Sequence, residues 1–181
     1  MTPRAAIIGA ALALIVGVTA FVALVNSTRP TINTAIGSPS CSVPPLGGVK
    51  VDVTLSDGGD AMMSHEPIMA TLTSDPTSVA AGKISFVVLN NGTLAHEMVV
   101  LPLPSDGPGT RPVGSDGKVN ETQSLGEASR SCAAGAGDGI APGSLGWMTL
   151  NLKPGRYELV CDEPWHYAAG MFEVLTVQSR S

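Results

Sequence analysis

From residue 49 onward, apolar and polar side chains alternate in short runs that Gly, Pro, Asn and Asp separate. A period of two predicts strands with one buried face. The clearest run is 49–55, where the odd-numbered positions are Val or Leu and the even-numbered ones are polar. The same criteria predict six further strands, over residues 68–73, 83–90, 96–101, 145–152, 156–161 and 172–177. The pattern therefore predicts an all-β domain over residues 49–181.

The strand over residues 156–161 is the most informative of these. Tyr157, Leu159 and Cys161 share one of its faces, and this parity points the Cys161 side chain toward the core. The loop 162–170 follows at once and turns back into the last strand. The strand thus supplies a thiol, and the loop that closes on it supplies His166 and Met171.

A long segment over residues 102–143 interrupts this pattern and is dominated by Gly, Pro, Ser and Asp. Loops of this length are uncommon in compact domains. Residues 123–131 are predicted to form a short helix or an edge strand within it. The segment as a whole is expected at the surface.

The amino-terminal part reads as a targeting segment followed by a tether. Residues 5–25 carry no charge and follow Arg4, and a run of this length favours a membrane anchor that is a single hydrophobic helix. The alternative is a signal peptide that is removed near Ala20. Residues 26–48 are rich in Ser, Thr, Pro and Gly and predict a flexible linker. In both cases Arg4 favours an extracytoplasmic domain.

Charge and cysteine content narrow the partners and the compartment. The net charge is −5 and there is no cluster of Lys and Arg, so nucleic acid is not expected as a partner. The chain has three cysteines. If Cys161 binds a metal, Cys41 and Cys132 remain as either a disulfide or two free thiols.

Four side chains together suggest a metal centre. Cys161, His166 and Met171 follow the spacing Cys-x4-His-x4-Met, and His96 lies upstream. Two imidazoles, a thiolate and a weak axial thioether are the ligands of a mononuclear blue copper site, which transfers one electron with little rearrangement. Structural zinc is the alternative metal, but it takes four N or S donors and Met is a poor zinc ligand.

These motifs resemble those of the cupredoxins, or blue type 1 copper proteins. The resemblance rests on residues 87–97 (Val-Val-Leu-Asn-Asn-Gly-Thr-Leu-Ala-His-Glu), on Lys-Pro-Gly-Arg-Tyr at 153–157, and on the ligand loop 161–172. The loop spacing is most similar to rusticyanin and the sulfocyanin-like proteins. The resemblance implies a Greek-key β-sandwich with His96, Cys161 and His166 as equatorial ligands and Met171 as the axial ligand.

Two residues depart from the pattern of the family. Glu97 stands directly after the first His ligand, where many cupredoxins have Asn or Ser. Its carboxylate is therefore a candidate for an additional copper ligand. Trp165 stands before His166, where related loops often have Gly. It is expected to shield the imidazole edge or to form part of a docking surface.

The predicted function is an electron carrier that transforms no small-molecule substrate. A cytochrome, a terminal oxidase or a copper enzyme is the expected partner, docked on a small apolar rim made of Leu94, Pro164, Trp165, Ala168 and Ala169. The chain has only three histidines, too few for the additional copper centres of a self-contained copper oxidase.

Two alternatives stay open. The first is a copper-handling protein that delivers copper to an oxidase, with a second copper contact at the Met and His residues around His65. The second is an accessory copper-binding subunit of a respiratory complex. For His65 itself, an ordinary loop position is favoured over a copper site.

Overall fold

The computed structural model describes residues 41–58 and 70–180, and all regular structure in these two ranges is β-strand. There are nine strands: β1 Val49–Ser56, β2 Thr71–Asp75, β3 Ser78–Ala80, β4 Gly82–Asn90, β5 Met98–Pro102, β6 Gly126–Ala128, β7 Leu145–Leu152, β8 Gly155–Val160 and β9 Phe172–Gln178. The predicted helix over residues 5–25, most of the linker and the cluster around His65 lie outside the described residues. Among those that are described, no helix is long and apolar enough to span a membrane.

The strands form two sheets, in the orders β2-β1-β4-β7 and β3-β9-β8-β5-β6. Strands β1 and β4 pair in parallel, as do β3 and β9, and the other neighbours are antiparallel. Several neighbours are far apart in sequence, so the chain crosses between the sheets rather than following a simple meander. The predicted all-β sandwich is confirmed.

The main core fills the space between the two sheets, and the predicted alternation decides which side chains enter it. The inward positions of β1 and β4 are at most 1% exposed: Val51, Val53, Leu55, Ile84, Phe86 and Val88. The parallel register sets these rows side by side, with Val51 opposite Phe86. Each such side chain contributes roughly 1.5–3 kcal/mol of transfer free energy.

The structure corrects several strand boundaries. The strand predicted over residues 156–161 is β8, Gly155–Val160, which ends one residue before Cys161. Of the strand predicted over residues 68–73, residues 68 and 69 lie outside the described residues, Ala70 is not in a strand, and β2 runs from Thr71 to Asp75. The strand predicted from residue 96 starts at Met98, because His96 instead forms an isolated bridge with Ile140. The alternation analysis missed β3, Ser78–Ala80, whose length is too short for a period to be read. Of the two forms predicted for residues 123–131, the edge strand is present as β6.

The long segment 102–143 was expected at the surface, but it also packs against the second sheet. Between this segment and the outer face of the second sheet lies a second apolar cluster, which consists of Val99, Leu101, Val119, Val160 and Tyr167. Val119 belongs to the segment itself, and its burial depends on this packing. The segment therefore buries the outer face of the second sheet, which the alternating pattern would predict to be exposed to solvent.

A disulfide between Cys41 and Cys132 connects the end of the linker to the long segment. The two Cα atoms are 5.1 Å apart and the residues are 91 positions apart in the sequence. Of the two states left open for these cysteines, the structure contains the bonded one. Cys161 is the free, buried cysteine of the described residues.

Candidate metal centre

The loop between β8 and β9 carries Cys161, His166 and Met171, and the connection between β4 and β5 carries His96. His96, Cys161 and Met171 are fully buried, and His166 is half-buried. The backbone N–H of Met171 donates to the carbonyl of His166 at 3.1 Å, and the N–H of Cys161 donates to the carbonyl of Met171 at 3.0 Å. These bonds close the loop on itself, so the spacing in the sequence becomes proximity in space.

Three donor atoms face one another at distances that suit one shared metal ion. Nδ1 of His96 lies 3.1 Å from Nδ1 of His166. Sγ of Cys161 lies 3.8 Å from the first of these nitrogens and 3.4 Å from the second. With metal–ligand distances of about 2.0–2.3 Å, trigonal donors are separated by about 3.5–3.7 Å. Met171 is fully buried in the same apolar cluster as Cys161. The set matches a type 1 copper site.

Asp57 determines which nitrogen of His96 faces the other donors. Its Oδ2 lies 2.8 Å from Nε2 of His96. The carboxylate also accepts hydrogen bonds from the backbone N–H groups of Thr93 and Leu94 and from the Thr93 hydroxyl. Burial raises the pKa of Asp57, but the bonds from Leu94, Thr93 and His96 outweigh it and bring the pKa to about 2. An ionised Asp57 only accepts, so Nε2 carries the proton and Nδ1 keeps its lone pair for a metal.

The thiol of Cys161 is held in an environment that disfavours its charge when no cation is near. Burial raises its pKa to about 12, although the backbone N–H groups of Glu97 and Glu163 lower it. The Glu97 N–H points at Sγ from 3.5 Å. Burial also lowers the pKa of His166, and His96 lowers it further. A neutral imidazole and a thiol that needs a cation to ionise both suit a metal site.

The carboxylate of Glu97 does not belong to this donor set. It groups instead with carboxylates of Glu121 and Asp162, and its Oε1 lies 4.0 Å from Nζ of Lys118. Burial raises the pKa of Glu97 to about 8, with Lys118 opposing the shift. The residue thus contributes its backbone N–H to the sulfur, while its side chain lies in a neighbouring acidic cluster.

Trp165 is the most exposed large apolar side chain of the described residues, at 58%. Its φ is +70°, a left-handed conformation that favours glycine. The Trp165 N–H donates to the carbonyl of Gly117 at 2.8 Å, which ties the ligand loop to the long segment. Pro164, Ala168 and Ala169 around it are exposed as well.

The structure brings His96, Cys161 and His166 of the predicted ligand set together and buries Met171 in the same apolar cluster as Cys161. Asp57 was not predicted from the sequence. This residue is 39 positions before His96, and its neighbours Gly58 and Gly59 indicate only a turn. No local pattern links it to a histidine on another segment. His65 lies outside the described residues, so its relation to the centre stays a prediction.

In a comparison with known families, residues 77–181 match the Sulfocyanin (SoxE) domain. This is more than half of the 181-residue chain, and it includes His96, Cys161, His166 and Met171. No curated protein matches the sequence significantly.

Among solved structures, the chain is similar to two auracyanins and to rusticyanin. Reduced auracyanin from Roseiflexus castenholzii is 19% identical, with 72% of this chain and 98% of that chain covered and a TM-score of 0.43. Auracyanin A, a "blue" copper protein from Chloroflexus aurantiacus, is 17% identical, with 71% and 99% covered and a TM-score of 0.44. Rusticyanin from Thiobacillus ferrooxidans is 18% identical, with 79% and 89% covered and a TM-score of 0.42.

Proposed function

This chain belongs to the sulfocyanin family, and from that premise we propose that it is an extracytoplasmic type 1 copper protein that passes single electrons between redox partners. The proposed ligands are His96, Cys161 and His166 in the equatorial plane and Met171 in the axial position. The observation that carries the proposal is the convergence of Nδ1, Nδ1 and Sγ within 3.1–3.8 Å.

The surroundings of these donors support electron transfer more than chemistry on a substrate. Copper held by such a set accepts and releases one electron with little change in geometry. The chain contributes rigidity: His96 is held by Asp57, and the Cys161 N–H is bonded to the carbonyl of Met171. Donors that are fixed in advance need not rearrange when the charge changes.

His166 is the proposed route for the electron. It is the half-buried member of a donor set whose other members are fully buried. Pro164, Trp165 and Ala168, which belong to the predicted apolar rim and neighbour His166 in the sequence, are exposed. A small rim suits a transient encounter, since redox complexes bury little area. A cytochrome or a terminal oxidase is the proposed partner.

The extracytoplasmic location is supported by the disulfide between Cys41 and Cys132. Disulfides persist in oxidising compartments and are rare in the cytosol. Residues 5–25 are the proposed membrane anchor, with cleavage near Ala20 as the alternative. Whether the chain stays anchored can be read from the mass of its mature form in the membrane fraction.

The proposal is tested with the whole 181-residue chain in detergent, to which one equivalent of Cu(II) is added. We expect an intense visible band from thiolate-to-copper charge transfer and a narrow copper hyperfine splitting in the EPR spectrum. Cys161→Ser keeps the size of the side chain and removes the thiolate, so the band should disappear. A blue Cys161→Ser protein would disprove the ligand assignment.

A second measurement separates an electron carrier from the copper-handling alternative. The copper-loaded protein is reduced and incubated with an excess of a Cu(I) chelator. A carrier keeps its metal in both oxidation states, whereas a delivery protein releases Cu(I). A pale Cu(II) spectrum together with fast release of Cu(I) would contradict the electron-carrier proposal and support the copper-handling alternative.

A further inference from the structure

Glu158 is a fully buried acidic residue on the face of β8 opposite to Leu159. Its Oε2 accepts a hydrogen bond from Nε of Arg111 at 2.7 Å, and the two side chains are 0% and 12% exposed. Its Oε1 accepts a second bond from the backbone N–H of Gly109 at 2.7 Å. The carboxylate of a central strand thus holds the long segment 102–143 against the sheet.

Tyr167 connects the same carboxylate to the ligand loop. Its hydroxyl donates to Oε1 of Glu158 at 3.2 Å and accepts from the backbone N–H of Arg111 at 3.1 Å. The side chain is 3% exposed, and its ring centroid lies 5.3 Å from that of Phe172. Tyr167 is the residue directly after His166. The phenol of Tyr167 is therefore fixed by Glu158 and Arg111, while the imidazole of His166, the preceding residue, belongs to the donor set.

We propose that Arg111, Glu158 and Tyr167 form a brace that positions the ligand loop and, through it, the His166 imidazole. Stability alone is a weak explanation for the ion pair, because the desolvation of the buried Glu158 and the mostly covered Arg111 offsets most of their attraction. Such a pair does fix geometry, since each oxygen of Glu158 has its own donors in set directions. In this proposal the long segment has a role, because Arg111 belongs to it and helps to fix the half-buried imidazole of His166 next to the apolar rim.

The test compares the two tyrosines of the chain. Tyr167→Phe removes the phenol that bridges Arg111 and Glu158. Tyr157→Phe removes a phenol that donates to the carbonyl of Lys153 at 2.8 Å, in the turn at the other end of β8. Both variants keep the aromatic ring and lose only the hydroxyl. Tyr167→Phe loses two hydrogen bonds, to Glu158 and from the Arg111 N–H, whereas Tyr157→Phe loses one exposed bond. Tyr167→Phe is therefore expected to cost more stability, and only its bonds lie in the brace.

The first readout needs no copper. In the metal-free protein, hydrogen exchange is measured at the amides of Ala169 and Met171, which both donate to the carbonyl of His166. Tyr167→Phe should speed exchange at these amides about two- to tenfold, and Tyr157→Phe should leave them unchanged. Equal rates in the two variants would overturn the brace.

The second readout uses the copper-loaded protein, and only this half rests on the proposed function. Tyr167→Phe should broaden the EPR hyperfine lines and speed the loss of Cu(II) about tenfold or more, while Tyr157→Phe matches the wild type. An altered exchange rate with unaltered EPR lines would also overturn the proposal, since the brace would then hold the loop without positioning His166. A wild type without the thiolate band would disprove the proposed function, and the exchange rates would still decide the brace.

Discussion

A Cβ atom on Gly92 would lie 2.7 Å from Nε2 of His96, and it would also overlap Oδ2 of Asp57. The only residue that fits beside the hydrogen bond between these two side chains is therefore glycine. The bond sets the tautomer of His96, so the backbone at Gly92 is part of what prepares the metal centre. This requirement is steric, and it can be tested without changing any donor.

We expect Gly92→Ala to push Asp57 and His96 apart and to weaken copper binding about 10- to 100-fold, as the loss of a ligand's outer partner typically does. The added methyl group should also cost about 1–3 kcal/mol of unfolding free energy. Competition titration with a Cu(II) chelator and chemical denaturation measure the two effects. Gly47→Ala is the control, because its Cβ would meet only the flexible Lys83 side chain, at 3.4 Å. Wild-type affinity in Gly92→Ala would contradict the steric argument.

Removing the charge of Asp57 tests the same bond from its other side. Asp57→Asn should raise the reduction potential, because a negative charge next to a ligand favours Cu(II) over Cu(I). It should also lower stability by about 1.5–3 kcal/mol, since Thr93 and Leu94 donate to this charged acceptor. Voltammetry gives the potential. Asp52→Asn removes an equal charge from an exposed pair with Lys50 and should change neither quantity. An unchanged reduction potential in Asp57→Asn would contradict the claim that the charge of Asp57 influences the metal.

Met171→Leu tests the assignment of the axial ligand. Leu nearly conserves the volume of this fully buried side chain, so the loss of stability should stay below about 1.5 kcal/mol. The blue colour should persist and the reduction potential should rise, because the thioether is a weak ligand that tunes the potential. Met98→Leu makes the same change at another fully buried methionine and serves as the matched control. Loss of the colour in Met171→Leu would mean that Met171 is a strong ligand.

The parts of the structure that sequence could predict are those that local geometry determines. The buried rows of β1 and β4 follow from side-chain alternation, which depends only on neighbouring residues. Cys161, His166 and Met171 meet because the loop between them is short and bonded to itself. For these residues the distance along the chain limits the distance in space, so their spacing was informative.

The parts that sequence could not predict depend on contacts between distant segments. Glu158 has a charged side chain on the outer face of a strand, which indicates a solvent-exposed position. It is buried because Arg111, 47 positions earlier, pairs with it. Asp57 is likewise 39 positions from His96. Neither pairing leaves a local signal, because only the tertiary fold brings the partners together.

The disulfide between Cys41 and Cys132 offers a test of how far stability and the metal centre are coupled. The bond closes a loop of 91 positions, and restricting the unfolded chain in this way typically stabilises by about 2–4 kcal/mol. We expect the double variant Cys41→Ser and Cys132→Ser to lose about this much unfolding free energy in urea. Its visible and EPR spectra should match the wild type, because neither sulfur belongs to the group of His96, Cys161 and His166. A changed spectrum in the folded double variant would mean that the disulfide also affects the geometry of the copper site. The long segment would then influence the metal through the disulfide as well as through the brace at Tyr167.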